Sequence, residues 1–465
     1  MFLHFITAAS ILASVPLVTY WATVLIARLK QNTTNADPEL DPEPEDPEPE
    51  VPEPADPEPE PDSVFRSASA RMCWSIIACE PFDGCQNYLS RDVSRVLPFG
   101  KAQIAFGIEN PYTCTDVEFR RTFIRETRRM MALDDEDWRD LSSFITRVGN
   151  NMFLYSRMEV FNEGGMDVQV NLTTLVQVIT MDVVLWVFFG TTGVDFNQHD
   201  MTMFVAEVNA AIQSTKSIEA LTRFTENDEL KDALTNILRN YEFDFSEPRE
   251  NPFNIILPAY EPLWRASLSL LVELAFGAGD AEWEFQDALI EYSQNSTCNQ
   301  FEDYYGKSGV SPCDIVSESL RLYPPVPEIW RTYQLSDQNT KMTEVCADIG
   351  ALQTSEAKFG EDAKTFNPQR FKELTPDQLD LCGMSFGSYP FMCPAFGDFG
   401  RRIVGSIVGS LLPTLFVEDE PSDSPYRLAW QGDFKKDEWG QIDMQDVLEN
   451  ELIIIRDKNV IFLVR

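Results

Sequence analysis

Residues 385–397 read SFGSYPFMCPAFG, a stretch that sets one cysteine, Cys393, among phenylalanines and prolines just ahead of a helical run. A cysteine sulfur binds a metal or attacks a substrate only as the thiolate, an anion favoured by backbone N–H groups and by the positive end of a helix. Residues 394–413 supply such a helix. Pro394 suits a first turn, and Ile403, Val404, Ile407, Val408, Leu411 and Leu412 share one apolar stripe on which Gly405 and Gly409 permit close packing. Cys393 therefore stands at the entrance to a buried helix, flanked by Phe386, Phe391 and Phe396. That dry, aromatic setting suits a sulfur bound axially to a flat cofactor; a plain core cysteine is the alternative reading of the same residues.

Upstream, SESLRLYPPVPEIWRTYQ (317–334) places Glu318 and Arg321 three residues apart on one helix face, with an abrupt stop at Pro324-Pro325. If buried, this pair needs further hydrogen bonding, and a second arginine can provide it. Arg370, in KTFNPQRF (364–371), is the candidate. Taken alone, E-x-x-R is the ordinary pattern of a solvated ion pair.

In order and spacing, an E-x-x-R helix, then LYPP, then F-x-P-x-R-F, then F-G-x-x-x-x-x-C-P resembles the C-terminal half of the cytochrome P-450 family. The likeness extends to LVQVITMDVVLWVFFG (175–190), the closing IIIRDKNVIFLV and the apolar N-terminus, and the G-P-F-x-C-P-A type of cysteine loop suggests divergent fungal members. The resemblance implies a mainly α fold with small β-sheets (α+β) and haem b, iron protoporphyrin IX, as cofactor. It implies Cys393 as the axial ligand of the haem iron, with Phe386 and Arg331 contributing to the cofactor site. Glu318, Arg321 and Arg370 become a structural triad. Where the family often has glycine, a basic residue and glycine around the ligand, this chain has Tyr389, Phe391 and Ala395. Trp138 corresponds to a family tryptophan whose partner arginine is here Ser142.

The family's proton-delivering A-G-x-[DE]-T finds its nearest counterpart in FGAGDAEWE (276–284), where Asp280 is the candidate acid and Ala281 stands in place of an alcohol. The implied activity is thiolate-supported oxygen insertion from O2 into a lipophilic small molecule. Without the threonine, an isomerase, dehydratase or peroxygenase is the alternative, and a catalytically eroded haem-binding or interaction protein a third. No flavin or nicotinamide fingerprint is visible, so electrons would come from a separate NADPH-dependent reductase. FRRTFIRETRRMM (119–131) aligns Arg121, Arg125 and Arg128 on one helix face beside Arg120 and Arg129, a patch suited to reductase docking, to propionate pairing or simply to solvent.

Bulk properties exclude other classes. With 465 residues, 44% hydrophobic, the chain can bury a large core. Its 37 Lys+Arg against 75 Asp+Glu leave a net charge of −38, which removes the phosphate-neutralising surface that nucleic acid requires. Of two histidines, His4 falls in the apolar N-terminus and His199 in FNQHD, which reads as a polar loop, and this leaves little for a triad or a zinc site. The nine cysteines are odd in number and irregularly spaced, unlike a disulfide framework, and Cys73, Cys79 and Cys85 read as buried free thiols.

Three regions follow along the chain. Residues 1–30 contain an uncharged run from Phe2 to Ala27, long enough to span a bilayer and followed by Arg28 and Lys30, which predicts a single-pass anchor in the endoplasmic reticulum membrane with a cytoplasmic body. Residues 31–63 form an acid- and proline-rich spacer, and 64–465 a single α-rich body. Within the body, helical periodicity covers 116–132, 136–155, 170–189, 201–214, 263–293, 312–322 and 397–415, and 451–456 with 459–464 read as a terminal hairpin.

Overall fold

A computed structural model describes residues 64–82, 85–162, 165–191, 197–276, 282–306, 309–336, 341–415, 426–429 and 453–456. The membrane anchor and acidic spacer read from residues 1–63 lie outside them, as do Asp280 and the second half of the expected terminal hairpin.

The principal helices are α1 (Ala70–Ile77), α2 (Arg91–Val96), α3 (Gly100–Phe106), α4 (Val117–Met130), α5 (Asp135–Tyr155), α6 (Leu172–Phe189), α7 (Gln198–Ser214), α8 (Asp228–Ile237), α9 (Phe253–Phe276), α10 (Glu282–Gln294), α11 (Pro312–Leu322) and α12 (Asp398–Leu415). Their starts are written locally. Asp116 caps α4 by accepting from the Phe119 N–H, Asp134 and Asp137 form a capping box on α5, and Ser311 and Asp314 form another on α11 behind Pro312. Each cap satisfies backbone donors that a helix start leaves unpaired. Asn171 caps α6, and Gly190 ends it in the left-handed conformation.

Helices α5, α6, α9 and α12 pack into one bundle, with α10 laid along α12. Close approach of the last pair depends on Gly409, where any Cβ would collide with the Leu289 backbone. Helix α6 is apolar and long enough to cross a membrane, yet it is 83% buried in this bundle, which makes it a core helix. A second, smaller core joins α1 to a three-stranded sheet. That sheet has the order β1-β5-β4, with β1 (Val64–Ser67) parallel to β5 (Met342–Asp348) and β4 (Glu328–Gln334) antiparallel to it. A four-stranded sheet has the order β2-β3-β7-β6, from β2 (Met158–Asn162), β3 (Gly165–Asn171), β6 (Tyr426–Ala429) and β7 (Ile453–Arg456).

Two expectations need correction. The helical run expected over 263–293 is two helices, and the first begins at Phe253 and continues through Pro258 and Pro262. Burial of its apolar side chains against α6 and α12 outweighs the backbone bonds those prolines forgo. The expected pairing of 451–456 with 459–464 is replaced, because β3 and β6 occupy both edges of Ile453–Arg456. The described residues are otherwise mainly helical with two small sheets, the α+β arrangement expected from the sequence.

Candidate functional site

Helix α11 brings Glu318 and Arg321 to one fully buried face. Arg321 donates to both carboxylate oxygens of Glu318, from Nε at 2.8 Å and Nη2 at 2.7 Å. Its Nη1 reaches the carbonyls of Gln353 (2.6 Å) and Ala363 (2.7 Å). Arg370 arrives from the following segment and donates from Nε to Glu318 Oε1 at 3.0 Å, while its Nη1 and Nη2 hold Asp362. The Asn367 N–H also donates to Glu318. The structure thus brings Glu318, Arg321 and Arg370 together, and the bidentate geometry with its extra donors is what offsets the cost of burying three charges.

Gln353 carries this arrangement to the cysteine loop. Its carbonyl receives Arg321, its side-chain NH2 donates to the carbonyls of Leu381 (2.8 Å) and Cys382 (3.0 Å), and its Oε1 accepts from Ser385 at 3.2 Å. Nothing local in the sequence marks Gln353, whose contacts to these four residues are all long-range.

The cysteine loop itself is closed by its own backbone. Cys393 donates its N–H to the Phe386 carbonyl at 2.7 Å, and Phe391 to Ser388 at 2.6 Å. Gly387 sits at φ +78°, and a Cβ there would lie 2.8 Å from the Phe391 oxygen, so glycine is required for the loop to fold back. The Tyr389–Pro390 peptide is cis. The rings of Phe386 and Phe396 meet edge to face at 5.9 Å. Burial pushes the Cys393 thiol up, opposed by the N–H of Ala395, by the charge of Arg128 and by the N–H of Phe396. Cys393 is half-buried.

Beside the loop lies a concentration of positive charge. The guanidiniums of Arg95 on α2 and Arg120 on α4 approach the Phe391 ring, at 4.9 and 5.1 Å from its centroid. Arg331, on β4, is buried and donates to the carbonyls of Ile77 and Trp330. Burial, then repulsion from Arg120, depresses Arg95, and Arg331 lowers it further; burial also depresses Arg331. Asp92 is the carboxylate placed on both Arg95 and Arg120. The buried Nε of Arg95 has no hydrogen-bond partner. Three cations facing one acid, with an orphaned donor, form a site that suits a dianion. Tyr112 borders it, its phenol raised by burial and by the neighbouring Cys393.

Other expected residues sit elsewhere. Trp138 and Ser142 belong to α5, where the Arg402 guanidinium lies 4.0 Å over the Trp138 ring and Ser142 donates to the Ser293 carbonyl. The arginines that meet the cysteine loop come from α2 and α4, while Trp138 takes Arg402 of α12 as its cation. His199 is exposed in the first turn of α7 rather than in a loop. Asp280 is outside the described residues. Within the described part of α9, Glu261 stands between Tyr260 and Pro262, accepting from Trp264 Nε1 (2.8 Å) and from Arg265 Nε (2.7 Å).

Among known proteins, no family model matches this chain. It is similar to cytochrome P450 71A16 of Arabidopsis thaliana, 30% identical over 128 residues, covering 23% of this chain and 24% of that protein. It is also similar to cytochrome P450 71A23 of the same plant, 29% identical over 164 residues, covering 28% and 32%. The matches therefore span 24% and 32% of these relatives' lengths. They support a relationship to the cytochrome P450s, and with it haem, O2 and a redox partner as the family's working parts. Both relatives are plant proteins, so the fungal likeness of the loop rests on the sequence alone.

Proposed function

We propose that the chain is a haem-thiolate monooxygenase that inserts one oxygen atom from O2 into a lipophilic small molecule, with electrons from an NADPH-dependent reductase. The observation that carries this reading is the juxtaposition at the cysteine loop: the Ala395 and Phe396 N–H groups and the charge of Arg128 act on the Cys393 sulfur, Arg95 and Arg120 approach the ring of Phe391 two residues before it, and Tyr112 feels Cys393, Arg95 and Arg331 together. Haem b requires one axial donor and partners for two propionates, and these residues have the matching chemistry. Cys393 would be the iron ligand, Arg95, Arg120 and Arg331 the propionate partners, and Phe386 part of the apolar wall.

When bound, a thiolate-ligated haem supplies O–O cleavage and oxidation of unactivated C–H bonds. The chain's own residues have narrower tasks. The N–H groups of Ala395 and Phe396 stabilise negative charge on Sγ. Glu318, Arg321 and Arg370 fix the segment leading to the loop, and Gln353 relays that order to Ser385. Asp280 is the proposed proton-delivering acid from sequence. The exposed arginines of α4 form the proposed reductase surface. Residues 1–30 are proposed as the single-pass anchor in the endoplasmic reticulum membrane, residues 31–63 as the spacer and 64–465 as the cytoplasmic catalytic body.

The test is expression of the full chain with a haem supply, followed by reconstitution with a reductase. The reading expects one haem per chain and NADPH-driven O2 consumption that rises with a lipophilic substrate. Haem-loaded protein that turns over without a reductase would select the second reading, isomerase, dehydratase or peroxygenase, which Ala281 in place of an alcohol beside Asp280 favours. Protein that refuses haem would contradict both.

A further inference from the structure

The 26 residues from Asp37 to Asp62 carry thirteen Asp and Glu side chains and no Lys or Arg, a charge density that a mere spacer does not need. Helix α4 shows the opposite imbalance. Arg120, Arg121, Arg125, Arg128 and Arg129 face only Glu118 and Glu126 within the same helix. Glu126 is buried and serves Arg125 and Arg129 at once, while Glu118 lies 3.6 Å from Arg121 with both side chains more than 70% exposed. In a chain of net charge −38, this exposed cationic face is an exception that solubility does not account for.

We propose that segment 37–62 of this chain docks on the Arg121, Arg125 and Arg128 face of α4. Charge complementarity is the first argument. Spacing is the second: in the extended form that prolines favour, acids alternating with proline recur roughly every 6 Å, and helix residues four apart are separated by about 6 Å along the axis. Tethering is the third. The segment is joined to the body at Val64, its contour of roughly 80 Å reaches across a domain of this size, and a linked ligand acts at an effective concentration of about a millimolar, so a weak contact suffices.

The location gives the contact its consequence. Arg120 of the same helix meets Phe391, and the charge of Arg128 bears on Cys393, so a segment lying on α4 covers the flank of the cysteine loop. Resting on the proposed function for this point alone, the docked segment competes with an electron donor for the same arginines.

The experiment uses full-length protein and a fluorescein-labelled synthetic peptide with the sequence of residues 37–62. Three forms are titrated: the native chain, a chain whose thirteen acids are replaced by Asn and Gln, and that neutral-segment chain carrying Arg121→Gln, Arg125→Gln and Arg128→Gln. At 50 mM salt the neutral-segment chain is expected to bind the peptide at least tenfold tighter than the native chain, a difference lost at 0.5 M salt. The triple substitution, at exposed positions, is expected to weaken binding tenfold or more. Equal affinity for native and neutral-segment chains, or binding indifferent to the three arginines, would overturn the proposal. Fluorescence anisotropy requires no haem, so a failure of the haem reading leaves this outcome independent.

Discussion

The guanidinium of Arg95 lies 4.9 Å from the centroid of the Phe391 ring, with Arg120 at 5.1 Å from the same ring. Where a basic residue is common two positions before the cysteine, this chain has an aromatic ring and recruits two arginines to it from α2 and α4. Cation–π contact with Phe391 positions both guanidiniums; Arg95 Nη2 donates to the Cys114 carbonyl and to Asp92, Arg120 Nη1 donates to Asp92, and Arg95 Nε is left without a partner.

If those donors hold propionates, Arg95→Gln and Arg120→Gln each remove a charge-assisted contact worth about 1.5–3 kcal/mol. Haem affinity, measured by titrating apoprotein and following absorbance, is expected to fall about tenfold to a hundredfold in each variant. Phe391→Arg is expected to lower affinity through repulsion among the cations. Unchanged affinity in both Gln variants would remove the propionate role.

The Glu318 carboxylate is fully buried between two guanidiniums. Glu318→Gln or Arg370→Ala leaves an uncompensated buried charge, which costs about 3–5 kcal/mol. Urea unfolding of the full chain should show that loss. Arg370→Lys should not restore stability, because an ammonium cannot keep both the Glu318 and Asp362 contacts.

Asp182 gives a pH dependence. Its carboxyl is buried in α6, Oδ1 has no hydrogen-bond partner, and it lines a crevice with Arg147, Asn151 and Gln198. Burial pushes its pKa from 3.8 up to about 7, with Arg147 opposing. Between those values the folded state holds a proton that the unfolded state has released, so this group's contribution to stability falls as pH rises from about 4 to about 7 and is flat above. Asp182→Asn removes that slope. Thermal melts should find the variant more stable than the native chain at pH 8, by up to on the order of 4 kcal/mol, with the gap closing toward pH 4. A constant gap across the range would contradict the assignment.

Orientation is tested by Asn32, Asn171 and Asn295, each the start of an N-x-[ST] sequon. A cytoplasmic body leaves all three bare, and expression in a eukaryotic cell should give no mobility shift on deglycosidase treatment. Asn171 also caps α6 through the Thr174 N–H, so glycosylation there would disturb the helix start. A shift would reverse the proposed topology.

What was legible in the sequence was local. Glu318 and Arg321 share a helix turn, α11 announces itself with Ser311, Pro312 and Asp314, and the Gly405 and Gly409 stripe of α12 is a periodic pattern. What was not legible depends on distant contacts. Arg95 resembles any helix arginine until Asp92, Arg120 and Phe391 surround it, and Gln353 has no motif at all. Pro258 and Pro262 argued against a helix that tertiary burial nevertheless sustains, and β7 chose β3 and β6 over its chain neighbour. Trp138 finds its cation in Arg402, a long-range contact that no spacing in the sequence indicates.

The central claim is an iron–sulfur bond at Cys393. The carbon monoxide difference spectrum of the reduced, haem-loaded full chain tests it most directly. The account expects the far-red-shifted Soret band of thiolate ligation, and its loss in Cys393→Ala. An unshifted band from native protein carrying a full complement of haem would contradict it.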